Sequence, residues 1–97
     1  MWEFTIDLRP TVGPIDTQFV DELQELAFTA PASDPLGGAL AFTLDPASLV
    51  LGMTIDPATG AFAWTPTEAQ GPGVYTVTIE VATVDGVISS ISFDVHV

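Results

Sequence analysis

The sequence predicts an all-β, two-sheet sandwich, and three features lead there. Six segments alternate apolar and polar residues with period two, the signature of a half-buried strand. Turn signals built on Asp-Pro, Gly-Pro and Asp-Gly separate them at short intervals. The long continuous apolar runs of a parallel sheet, buried on both faces, are missing.

Taken in order, WEFTIDL places Trp2, Phe4, Ile6 and Leu8 on one face, with Glu3, Thr5 and Asp7 on the other. RPTVGP then breaks the chain. In QELAFTA, Leu26, Phe28 and Ala30 share a face. The overlapping stretch DELQELAF is the one candidate helix, but its continuation into β-favouring FTA reads better as a strand. After DPLGG, ALAFTL aligns Leu40, Phe42 and Leu44, and DPAS is read as a turn. Asp56-Pro57-x-x-Gly60 is a tight turn, because proline presets φ while glycine accepts φ above zero. It leads into Phe62 and Trp64 of GAFAWT, and Pro66 ends that strand by removing a ladder donor. After QGPG, VYTVTIEVA turns Tyr75, Val77, Ile79 and Val81 inward. Beyond VDG, VISSISFDVHV aligns Ile91, Phe93, Val95 and Val97.

Residues 1–97 are one domain, large enough for a single core. No segment recurs, so the chain is one repeat unit at most. Apolar runs fall well short of the roughly 20 residues that span a bilayer, and no secretory leader precedes the domain. Charge is lopsided: thirteen acids face a single base, Arg9, for a net charge of −12. Nucleic acid and membrane insertion are therefore excluded as partners, since phosphates call for a cationic face. The acids are spread along the chain. That fits a solvated surface, with cation binding and adaptation to high salt as the other readings. Cysteine is absent, which removes disulfide and thiolate-zinc frameworks.

Catalytic constellations are missing as well. His96 is the only histidine and sits in the last strand as an exposed alternating residue. Asp21 and Glu22 are adjacent, and neighbours on a strand point to opposite faces, so they cannot flank one glycosidic bond. No nucleophile elbow, Schiff-base lysine or phosphate cradle appears. The chain is read as a non-enzyme. For stacking on a sugar, Trp2, Trp64 and Tyr75 are available. Alternation turns the latter two inward, leaving Trp2.

Two longer stretches, PIDTQFVDELQELAFTAPASDPLGGALAFTL and IDPATGAFAWTPTEAQGPGVYTVTIEV, resemble the cadherin-like, immunoglobulin-like repeats of bacterial and archaeal surface proteins. The shared order is a Pro-Ile-x-x-Gln entry, an acid, a Phe-Thr-Ala strand, an Asp-Pro loop, and Ile-Asp-Pro-x-Thr-Gly-x-Phe-x-Trp-Thr-Pro. The resemblance runs from about Arg9 to Val97. It implies a seven-stranded Greek-key sandwich, an extracellular or cell-surface location, and neighbouring repeat modules as partners. Residues 1–8 precede the family's usual start and are read as an added strand or the tail of a preceding module.

Calcium at module junctions is a further implication of the resemblance. Glu22 and Asp34 match acidic ligands, while Glu68 and Asp85 lie near two more such positions. Leu36 and Gly38, however, replace the alternate oxygen donors of the loop SDPLGGAL, and Val84 stands where an acid is expected. Calcium takes six to eight oxygens, so this loop is read as a former ligand loop serving as a turn. The expected function is a spacer and adhesion module of a secreted or surface protein, with protein or glycan ligands. The alternatives are a carbohydrate-binding accessory module, a calcium-stabilised adhesin repeat, a designed or excised scaffold, and self-association through an edge strand (FDVHV or WEFTIDL).

Overall fold

In the computed structural model, residues 9–34 and 37–97 are described; the strand expected over residues 1–8, with Trp2, lies outside them. Five of the six alternating segments become strands with a more buried and a more exposed face, and four two-residue strands join them. They are β1 (Thr11–Val12), β2 (Gln18–Phe19), β3 (Leu26–Thr29), β4 (Ala32–Ser33) and β5 (Leu40–Leu44). Beyond them lie β6 (Thr54–Ile55), β7 (Ala61–Trp64), β8 (Val74–Thr83) and β9 (Ile88–His96). One sheet runs β2-β9-β8-β5 and the other β3-β7-β6, with β1 antiparallel to β4 at the margin. All pairings are antiparallel except β2 with β9, which run parallel.

Taking β1 with β2, and β3 with β4, as broken single strands gives the seven strands of a Greek-key sandwich. The first strand pairs with both sheets in turn. Alternation also picked the right faces. Phe42, Leu44, Phe62, Trp64, Val77, Ile79, Val81, Phe93 and Val95 are all buried. Between the sheets, Phe28 stacks on Phe62 with ring centroids 5.0 Å apart, and both meet Phe93 edge-on at 5.4 and 5.8 Å. Burying each large aliphatic side chain is worth about 1.5–3 kcal/mol, so the Val77, Ile79, Val81 and Val95 layer is a major term.

DELQELAF contains no helix, in keeping with its reading as a strand: residues 21–24 turn, and Leu26 opens β3. Two local expectations need correction. The helix lies instead at α1 (Pro46–Val50), where DPAS was read as a turn. Asp45 caps it in extended conformation, with Pro46 in its first turn, where a missing N–H costs nothing. FDVHV is not a free edge either. β8 pairs with β9 along its length, and β2 pairs with its end at Val95 and His96.

Candidate functional site

Strand direction sorts the candidate residues into two groups. β3 ends at Thr29, opposite Ala61, and β5 begins at Leu40, opposite Thr83. The Asp34 loop, the Asp56–Gly60 turn and the β8–β9 turn bearing Asp85 therefore gather at one end of the sandwich. At the other end lie Val74 opposite His96, and Leu23, whose N–H donates to the Pro66 carbonyl (2.8 Å). Glu22 and Glu68 belong to that end. β8 alone has ten residues, about 30 Å of extended chain, so the two groups cannot share one ion. Each end holds two of the four predicted ligands, far from a calcium shell. Among the described residues, no three His, Cys, Asp or Glu side chains converge on a metal position.

Asp34 serves a turn: its carbonyl accepts from the Gly37 N–H (2.8 Å). Asp85 is exposed in the β8–β9 connection, where Gly86 takes φ +86°. Glu22 is exposed, and its carboxylate occupies the space that a side chain at Gly71 would fill. Asp21 and Glu22 lie in the turn before β3, not on a strand as expected. Glu68 opens a 3-10 turn, Glu68–Gln70.

That turn is where the polar chemistry of this end concentrates. The Gln70 side chain accepts from the Thr67 N–H (2.8 Å) and donates to the Leu51 carbonyl (3.0 Å). The Trp64 indole N–H donates to the same carbonyl at 3.1 Å. Tyr75 Oη donates to the Gln70 carbonyl, five residues upstream, at 2.5 Å. Its ring meets Trp64 edge-on at 5.3 Å. Trp64 and Tyr75 are thus engaged in holding the fold, as their alternation implied. Neither offers a free ring face to a sugar.

A residue the sequence reading passed over anchors the middle of the molecule. One Asp45 carboxylate oxygen accepts from the Ser48 hydroxyl (2.6 Å) and the Thr78 N–H (2.9 Å), and the other from the Ser48 N–H (3.1 Å). Ser48 is fully buried. Partial burial pushes the Asp45 carboxyl pKa upward, but the Ser48 hydroxyl and the Thr78 and Ser48 amides outweigh it. The net shift is below the ordinary 3.8. Asp followed by Pro at a helix start was the available signal.

A seven-stranded Greek-key sandwich with a tyrosine hydrogen-bonded back across the corner before its strand is the architecture of an immunoglobulin-like domain. The sequence comparison agrees. A family model described as "Putative Ig domain" (He_PIG) matches residues 9–97, and the chain belongs to that family. No curated protein matches it. Among solved structures it is similar to one titled as a "putative alpha-galactosidase" from Bacteroides fragilis NCTC 9343, with a TM-score of 0.73 and 18% identity. The match covers 97% of this chain but 19% of that one. At this identity the likeness concerns the fold.

Proposed function

We propose that the chain is a non-catalytic structural module, used in the manner of a cadherin-like repeat, that spaces and positions neighbouring modules of a secreted or cell-surface protein. The observation that carries this reading is the path of the chain. β1 runs antiparallel to β4, so the described chain enters at the Asp34 end, whereas Val97 leaves at the Glu22 end. Tension on the two termini would draw β2 and β9 in opposite directions. These strands are parallel, with Gln18 opposite Val95 and Phe19 opposite His96, and the Val20 N–H donates to the His96 carbonyl (2.9 Å). Their hydrogen bonds are then loaded together in shear instead of opening one by one. The similarity to a short part of a chain titled as a galactosidase fits a module carried beside a catalytic domain.

Single-molecule pulling tests the proposal. Force applied through residues 9 and 97 should unfold the domain in one step, at a higher force than pulling through a pair of sites that peels β9 from β8. Val20→Pro, which deletes the N–H donated to His96, should lower the first force selectively. Equal forces in the two geometries would remove the mechanical reading. A hydrolytic activity abolished by changing one acid would overturn the non-catalytic one.

A further inference from the structure

β2 is two residues long and ends its sheet among the described residues, and the Phe19 side chain faces outward from it. That ring is 74% exposed, whereas Phe42, Phe62, Phe93 and Trp64 are at most 5% exposed. Phe28 and Tyr75 are half-buried. Phe19 is therefore the open aromatic face among the described residues. It does not stand alone: the His96 ring lies beside it, with centroids 5.1 Å apart and planes tilted by 32°. Phe19, Val20, Asp21, His96 and Val97 together line a depression of about 300 Å³.

We propose that this depression is a subsite for one neutral sugar ring. The exposed Phe19 ring, with the His96 ring against it, offers an apolar face suited to the C–H face of a pyranose. At its rim, the Asp21 carboxylate can accept hydrogen bonds from sugar hydroxyls. The His96 imidazole can donate one or accept one, since its neutral form carries a donor and an acceptor. A net charge of −12 works against uronic or sulfated sugars, because like charges brought together cost affinity. A cation is the other ligand that a ring and a carboxylate suit. Enclosing a cation takes ring faces turned toward one centre, and these two planes are only 32° apart. One sugar on one such face is held weakly, with a Kd of about 1–10 mM. The site uses side chains of the same β2 and β9 strands whose backbone bonds carry the spacer role, and adds to that role.

The test is a backbone-amide NMR titration of the full chain at pH 7, with glucose, galactose, mannose and N-acetylglucosamine in turn and choline as the cationic probe. At least one sugar should shift the resonances of Phe19, Asp21 and His96 together and saturably. Phe19→Ala and Asp21→Asn should each weaken binding about tenfold. Val50→Ala removes an even more exposed side chain (87%) away from the depression and should leave binding unchanged. Phe19 and Asp21 are both exposed, and an unchanged amide spectrum elsewhere confirms that the variants fold. The inference is overturned if none of these sugars moves those resonances, if Phe19→Ala binds like the parent, or if choline alone produces the shifts.

Discussion

The Phe42 ring lies against the Cα of Gly60 so closely that a β-carbon there would come within 2.8 Å of Phe42 Cε1 and 3.0 Å of Cζ. The contact joins the two sheets, for the Phe42 N–H also donates to the Pro57 carbonyl (3.0 Å). Gly60 further adopts φ +78°, in the left-handed region that L-residues enter at a cost of about 1–2 kcal/mol. Overpacking against a buried ring adds about 1–3 kcal/mol. Gly60→Ala should therefore lose about 2–5 kcal/mol in urea unfolding. Gly86→Ala has comparable φ but open space around it, and should lose only the backbone term.

Asp45 makes stability depend on acid in a definite direction. Its folded pKa lies below the ordinary 3.8. The contribution is thus complete above the unfolded value and is lost as pH falls through the folded one. At pH 7, Asp45→Asn should cost about 1–3 kcal/mol, since charge-assisted bonds to Ser48 and Thr78 are weakened. Below pH 3.8 the unfolded chain takes up the proton first, and once pH has passed through the lower folded value the parent carboxyl is neutral too, so the two stability curves should converge over that range. Curves that stay parallel from pH 7 down to pH 2.5 would show that the carboxylate's charge contributes nothing.

Tyr75→Phe keeps the ring against Trp64 and removes only the hydroxyl donated to the Gln70 carbonyl. It should cost about 1 kcal/mol. Gln70→Ala breaks the bonds to both Thr67 and Leu51, and should cost more than Tyr75→Phe. Because Gln70 and Trp64 share the Leu51 carbonyl, a Gln70→Ala, Trp64→Phe pair should be non-additive. A double-mutant cycle measures that coupling.

The faces of the strands could be read from the sequence because period two is a local property. Val77, Ile79 and Val81 are inward on β8 whatever the strand pairs with. Asp45 and Asp56 show where local reading stops. Both precede Pro-Ala, yet Asp45 starts a helix and Asp56 a turn. What separates them is Gly60, which reverses the chain at φ +78°, whereas Pro46–Val50 contains no such residue. The Asp56 carboxylate accepts from the Ala58 and Thr59 amides within its own turn. Asp45 reaches Thr78, thirty-three residues away, a partner that no local pattern reveals. The division of the candidate acids between two ends was hidden for the same reason. Alternation tells which face a residue occupies, whereas its end of the sandwich depends on the direction of every strand between.

That division yields a prediction about calcium. Glu22 and Glu68 lie at one end and Asp34 and Asp85 at the other, and Leu36 and Gly38 bring no side-chain oxygen to the Asp34 loop. A site that binds only the folded state raises the melting temperature with concentration, by about 2.7 kcal/mol of stability at a hundred times Kd. General screening also stabilises a chain of net charge −12, because its self-repulsion falls as ions accumulate. The two effects separate by ion: magnesium demands a tighter octahedron and does not replace calcium in a calcium shell. Calcium and magnesium at equal millimolar concentration should therefore raise the melting temperature of this domain equally. Asp34→Asn and Glu22→Gln should leave both shifts in place. A calcium-specific rise abolished by either substitution would mean that backbone carbonyls and water complete a shell around that carboxylate, and the domain would then be a calcium-stabilised one.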